Sequence, residues 1–319
     1  MHHEGVRDGG GRAGGGGMTV TETGTGADGT APGGGLPETL RIAFSPCPND
    51  TFVFDAWAHG RVPGAAAPEV TFADIDITNG IAERGGDASP EVLKVSYAVL
   101  PWILDEYTLL PCGGALGRGC GPLVLTREAG QDLSGAKVAV PSERSTAYLL
   151  FRLWAADTVP GGVGEIVVLP FDQIMPAVRD GRVDAGLVIH EARFTYQNYG
   201  LHKAADMGEH WESTTGLPIP LGAIVAKRSL GTERLRALAD TIRTSVRMAW
   251  ADPEASRPYV AAHAQEMDPA VAEQHIGLYV NEFTEDLGED GYGAVRGLLG
   301  RAAEQGLVPG VAGESLDFG

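Results

Sequence analysis

The segment Asp184-Ala185-Gly186-Leu187-Val188-Ile189-His190-Glu191 carries the strongest chemical implication in this chain. An apolar run that reads as a buried strand delivers a histidine at its carboxyl end. In open α/β sheets, ligands bind beyond those ends. Imidazole is also the side chain best matched to proton transfer near neutral pH. His190 is therefore the candidate general base, set against the plainer reading of a histidine that only closes a strand. The other histidines fall in the N-terminal tail or in segments that read as helix or loop, and rank below it.

Three more groups place polar side chains at element ends. Ser142-Glu143-Arg144-Ser145-Thr146-Ala147-Tyr148 joins a strand to a helix N-terminus. Free N–H groups and the helix dipole suit a carboxylate there, and two hydroxyls add donors. N-capping by Ser145 or Thr146 accounts for the same residues. Lys94-Val95-Ser96-Tyr97 ends another strand, where Lys94 either meets an anion or lies on the surface. Asn49-Asp50-Thr51 opens a helix, and capping explains it.

The run from Cys112 to Gly121 is rich in glycine. Such runs cradle phosphate when they end in GK[ST] and open a helix, but this one leads into a strand. A hinge or cleft-lining turn is the expectation. The chain has no HExxH, no zinc-type cysteine set, no GxSxG elbow and no GxGxxG after its first strand. Neither a metal nor a nucleotide cofactor is implied.

The elements that must position these groups alternate strand and helix. Leu40 to Phe44, Glu69 to Ile77, Val92 to Ser96, Leu123 to Leu125, Lys137 to Pro141, Glu165 to Leu169, Val183 to Ile189 and Leu221 to Ala226 read as strands. Helices are expected at Thr51 to Gly60, Thr78 to Arg84, Tyr97 to Tyr107, Thr146 to Ala156 and Phe171 to Asp180. The region from Thr232 to about Gln305 reads as mainly helical, with breaks at Pro253, Pro258 and Pro269. The order predicts an α/β protein with mostly parallel sheets.

Composition bounds the partners. The chain has 319 residues, 43% hydrophobic and 21% charged, with a net charge of -18. No Lys/Arg cluster is present, so nucleic acid and anionic membrane are poor partners. An anionic ligand needs a local donor set, because the acidic surface supplies only solubility. No stretch approaches 18 unbroken apolar residues, so no membrane span is expected. Three cysteines without a CxxC pair argue for a reducing, cytoplasmic setting. Residues 1–39, dense in glycine, cannot bury enough apolar area to fold and lack the apolar core of a secretory signal. His2 and His3 in that tail are weak metal ligands.

Several blocks together resemble one family. Ser45-Pro46-Cys47-Pro48-Asn49-Asp50-Thr51-Phe52, Lys94-Val95-Ser96-Tyr97-Ala98, Gly113 to Gly119 with Gly121-Pro122-Leu123-Val124, and Val140-Pro141 with Ser145-Thr146-Ala147-Tyr148 are similar to blocks of the 1,4-dihydroxy-6-naphthoate synthases. Ile189-His190-Glu191-Ala192-Arg193-Phe194-Thr195-Tyr196 and Gly216-Leu217-Pro218 to Leu221-Gly222-Ala223-Ile224 complete the series in family order.

The resemblance implies a two-lobed fold like the type II periplasmic binding proteins, with the ligand cleft between the lobes. Lobe one would be residues 40–125 and 221–319, lobe two residues 126–220, crossed at Gly113–Leu125 and Pro218–Ala226. It implies a cofactor-free lyase of menaquinone biosynthesis that acts on an anionic small molecule, cyclic dehypoxanthine futalosine. His190 would be its proton acceptor, and Lys94, Val95, Ser96, Ser145 and Thr146 its substrate contacts. A chorismate dehydratase of the same pathway shares the implied fold, and a non-catalytic solute-binding protein is the rival from another class.

Overall fold

The structure is a computed structural model that describes residues 21–22, 39–264, 268–316 and 318. Its strands are β1 (Thr21–Glu22), β2 (Arg41–Phe44), β3 (Glu69–Phe72), β4 (Val92–Ser96), β5 (Tyr107–Leu109), β6 (Ala115–Gly117), β7 (Leu123–Thr126), β8 (Val138–Val140), β9 (Ile166–Val168), β10 (Ala185–Val188), β11 (His202–Asp206) and β12 (Ile219–Lys227). Its helices are α1 (Pro48–Ala58), α2 (Ile75–Arg84), α3 (Leu100–Ile103), α4 (Thr146–Thr158), α5 (Phe171–Arg179), α6 (Ala192–Thr195), α7 (Met207–Thr215), α8 (Thr232–Ala251), α9 (Pro253–His263), α10 (Pro269–Tyr279), α11 (Glu282–Glu285) and α12 (Gly288–Glu304).

Two sheets result. One has the order β1-β3-β2-β4-β12-β5, with β6 also on β12, and the other runs β11-β7-β10-β8-β9. Each is mixed, which corrects the expectation of mostly parallel pairing. Pairs β2–β3, β2–β4, β8–β9 and β8–β10 are parallel. β12 lies antiparallel to β4, β5 and β6, and β7 antiparallel to β10 and β11. A parallel neighbour requires a crossover helix, whereas a strand that enters from the other lobe can pair antiparallel without one.

The chain leaves the first sheet after Gly117 and joins the second at Leu123. It returns after Asp206 by way of α7. Pro218–Ala226 is therefore mostly strand rather than crossing, because Ile219–Lys227 forms the nine-residue β12. Glycine in the first crossing answers to close approach: a Cβ on Gly121 would lie 2.0 Å from the Gly208 nitrogen. Arg193 fastens the same place, donating to the Gly121 carbonyl and to Asp206, both at 2.7 Å.

Apolar contacts hold the layers together. Phe52, Phe54 and Trp57 of α1 pack with Ile42, Phe44, Leu238, Ile242 and Val246 on one side of the first sheet. Ile174 and Val178 of α5 cover Leu125 and Val188 of the second. A third cluster joins the lobes, with Tyr97, Val99 and Leu100 against Ala147, Leu150 and Phe151 of α4. At the far end, Thr21 and Glu22 pair with Thr71 and Val70. These two residues belong to the stretch 1–39 expected to form no packed structure, and an edge ladder needs no core. Residues 1–20 and 23–38 lie outside the described residues. Pro253 and Pro269 open α9 and α10, but Pro258 sits inside α9 and does not end it. Tyr97–Tyr107, expected as one helix, divides into a 3₁₀ turn, the short α3 and β5. No helix among the described residues is long and apolar enough to cross a membrane.

Candidate active site

A cleft opens between the lobes. Lys94, Ser96, Ser145, Thr146 and His190 all line it. Val95 does not. Side chains alternate across a strand, so Val95 points into the core, where it is 0% exposed. Of the residues named by resemblance, Val95 alone has no side chain on the cleft wall.

Strand β4 sets the floor. Lys94 is buried and pairs with Asp50 at 2.5 Å. Asp50 also accepts hydrogen bonds from Ser45 at 2.9 Å and Asn49 at 2.8 Å. Sequence reading gives Asn49 and Asp50 to helix capping, but Cys47 is the N-cap and Pro48 the first helical residue. Proline is pre-set for that position, which moves Asp50 into the first turn, within reach of Lys94. Ser96 is held by Asn79 in both directions: its amide donates to Asn79 Oδ1 at 2.8 Å, and Asn79 Nδ2 donates to its hydroxyl at 3.0 Å. The Ser96 hydroxyl proton remains to donate. Gly222, opposite Ser96 on β12, is needed because a Cβ there would lie 2.7 Å from Lys94 Cε.

The N-terminus of α4 forms a second wall. Ser145 is its N-cap, accepting from the Tyr148 amide at 3.1 Å and donating to the Ser142 carbonyl at 3.1 Å. Thr146 Oγ1 donates to the Leu221 carbonyl at 2.7 Å and accepts from the Ala98 amide at 3.2 Å, tying the lobes together. Both hydroxyls are thus committed to the fold. The first-turn N–H groups of Thr146 and Ala147, which have no helical acceptor, sit where the cleft is lined. This wall offers backbone donors and the positive end of a dipole.

His190 follows β10 and is the one non-glycine residue with positive φ among the described residues, at 54°. Left-handed backbone costs a residue with a Cβ roughly 1–2 kcal/mol, and such strain collects at functional sites. Its Nδ1 lies 3.5 Å from Cys47 Sγ. Burial, then the charges of Glu191 and Asp50, push the Cys47 thiol well above its ordinary range. Cys47 is therefore a neutral thiol at Nδ1, which leaves Nε2 as the nitrogen for chemistry. Glu191 is buried, and its Oε2 has no hydrogen-bond partner among the described residues.

Sulfur, nitrogen and oxygen donors of Cys47, His190 and Glu191 all lie within 4.8 Å of one another. This trio could ligate a soft divalent cation, whose charge would have to offset the burial that raises the Cys47 thiol.

Sequence reasoning missed Cys47, Asp50 as the partner of Lys94, and His275. His275 lies on α10, 1% exposed, and lines the cleft. Neither ring nitrogen has a hydrogen-bond partner among the described residues. Burial foremost, then His190 and Lys94, hold its pKa well below the usual histidine value. A buried polar group left unpaired costs about 1–3 kcal/mol. Its one sequence signal is the spacing to Tyr279, which puts both on one helix face.

Two mixed α/β lobes around a shared cleft define a protein with the periplasmic-binding-protein-like fold. The alkanesulfonate-binding protein SsuA from Xanthomonas axonopodis pv. citri has a TM-score of 0.65 at 15% identity, over 86% of this chain and 95% of that one. A crystal structure of an Archaeoglobus fulgidus protein has a TM-score of 0.78 at 32% identity, over 85% of this chain and 99% of its own. The chain belongs to the menaquinone biosynthesis family, whose profile matches residues 40–304. A Streptomyces coelicolor protein called 1,4-dihydroxy-6-naphtoate synthase is 79% identical over 88% of this chain and 99% of its own length. A Thermus thermophilus protein of the same name is 47% identical over 85% of this chain and 96% of its own.

Proposed function

We propose that this chain is a carbon–carbon lyase that converts cyclic dehypoxanthine futalosine to 1,4-dihydroxy-6-naphthoate and dihydroxyacetone. The name shared by its relatives supports this reading over chorismate dehydratase. The observation that carries the chemistry is His190, an imidazole held in a strained backbone at a strand end and facing a cleft between two lobes. The enzyme name of those relatives also disfavours a solute-binding protein.

The reaction moves protons and electron pairs within the substrate, so it needs no cofactor. His190 Nε2 removes the proton of the hydroxyl on the ring carbon that carries the sugar remnant, and the carbon–carbon bond to the remnant then breaks. The N–H groups opening α4 receive the substrate carboxylate, an anion at a helix N-terminus. Ser96 donates its hydroxyl proton to a substrate oxygen. Lys94, neutralised by Asp50, supports the floor without drawing the carboxylate away from α4. The two-lobed closure keeps water from the intermediate. Three free, buried cysteines fit a reducing cytoplasm.

The test is incubation of the purified chain with cyclic dehypoxanthine futalosine, followed by chromatographic detection of the naphthoate. No product from a folded chain would refute the lyase assignment. Product from chorismate instead would establish the dehydratase.

A further inference from the structure

Nothing in the fold accounts for the buried imidazole of His275. Its neighbours are aromatic: Tyr279 at 4.5 Å and Phe194 at 6.5 Å between ring centroids. A leucine or phenylalanine would pack there without two unpaired nitrogens. Buried polar groups in native proteins are satisfied in the great majority of cases, and an exception calls for an explanation.

Its position supplies one. His275 stands on α10 of the first lobe and His190 at the end of β10 of the second. The two rings meet at 6.2 Å with an interplanar angle of 65°. Both line the cleft. Burial and the nearby Lys94 and His190 keep His275 neutral, so it offers one N–H donor and one lone pair. That is the equipment for a carbonyl or hydroxyl oxygen. A carboxylate is better served by the α4 N-terminus.

We infer that His275 is a second catalytic residue, donating a hydrogen bond to the enolate oxygen of the departing unit, which gains charge while His190 takes the proton. The inference rests on the lyase reading above and follows its electron flow. His190 removes the proton of the hydroxyl on the ring carbon, and the O–H pair becomes the second bond of a ring carbonyl. The carbon–carbon pair passes into the departing unit, whose carbonyl is on its middle carbon, and ends on that oxygen as an enolate. The enolate takes up one proton to become dihydroxyacetone, and the ring dione tautomerises to the product's two hydroxyls. Atoms and electrons balance without an oxidant or reductant. A donor that stays neutral is fit for the enolate oxygen because it does not compete with His190 for the proton.

Full-length wild type, His275→Phe and His275→Gln are compared with cyclic dehypoxanthine futalosine, with melting followed on the same samples. His275→Phe is expected to stay folded and to lose about 10²-fold in kcat, the loss seen when one such donor is removed. His275→Gln keeps an N–H and is expected to recover part of that loss, with KM nearer the wild type. Should the Phe variant fail to fold, His275→Leu takes its place under the same threshold. A folded variant that keeps more than about a tenth of the wild-type kcat, well above the range for a lost donor, overturns the role of His275 and leaves the lyase reading standing. A folded wild type without turnover overturns both.

Discussion

At the floor of the cleft, Ser45, Asn49, Asp50 and Lys94 bond to one another, and Ser96 bonds to Asn79. At the imidazole end, the His275 ring nitrogens and Glu191 Oε2 have no hydrogen-bond partner among the described residues, and the His190 ring, on a strained backbone, makes its polar contact with the Cys47 sulfur. The two ends share one cavity and obey different rules. A complete polar network rigidifies and specifies a shape without help from a ligand. Unpaired groups cost stability until a ligand supplies partners. Under the proposed function, the floor holds the substrate's place and the imidazole end performs its chemistry.

The largest expected effect breaks the imidazole end alone. His190→Ala and His190→Asn should lose about 10²–10⁴-fold in turnover, the usual loss for a positioned general base. Both should remain folded, and the Asn variant should melt no lower than the Ala variant, because asparagine tolerates left-handed backbone. Product affinity should change little, since the α4 N-terminus and Ser96 are untouched. Turnover above about a tenth of wild type would place the base elsewhere.

The floor should fail differently, through folding. Asp50→Asn leaves Lys94 buried without a counter-charge, which typically costs about 3–5 kcal/mol. Adding Lys94→Met should restore much of that loss, because replacing both members of a buried pair is far less costly than removing one. Urea denaturation of the two variants decides it. Equal stability of Asp50→Asn and wild type would mean that the floor is not a closed network.

How much of this was legible follows the same division. Val92–Ser96 is readable to the residue, because a buried strand is written in consecutive apolar positions around Lys94. The start of α4 is readable from Ser145, a preferred N-cap. The start of α1 is not, because Asn49 and Asp50 look like caps until the fold brings Lys94 to Asp50. His275 escapes a reading of the sequence for a related reason. Being unpaired is a property of the surroundings, which packing alone defines. His190 stands out because its cue, a histidine after an apolar run, is local. Its positive φ has no sequence cue at all.

The imidazole end should also set the acid limit of stability, and the sign can be worked out. His275 is held below its ordinary value of 6.5 in the fold. Above pH 6.5 both folded and unfolded chains carry it neutral, and it has no effect. As pH falls below 6.5, the unfolded chain takes up a proton that the native state refuses. Stability then drops by as much as about 1.4 kcal/mol per pH unit until the folded pKa is reached. His275→Phe should remove that part of the slope between pH 6.5 and 5. An unchanged slope by denaturant titration would show that His275 protonates freely in the fold.

The smallest effect concerns what brings the two ends together. Arg144 of the second lobe stands 4.2 Å over the Trp102 ring and 3.2 Å from Glu83, both of the first lobe. Its side chain is 50% exposed, so water screens the ion pair. An exposed cation–π contact contributes about 0.5–1 kcal/mol, and an exposed ion pair at most about 1 kcal/mol. Arg144→Ala should therefore weaken product binding by no more than about thirtyfold, by way of closure. The maximal rate at saturating substrate should stay close to wild type, because Arg144 is not a lining residue of the cleft. Small-angle scattering supplies the direct measurement, with a larger radius of gyration in the free variant and convergence with wild type once product is saturating. An affinity unchanged by Arg144→Ala, with identical scattering of the free proteins, would show that the joined core of Tyr97, Leu100, Leu150 and Phe151 closes the lobes without this clasp.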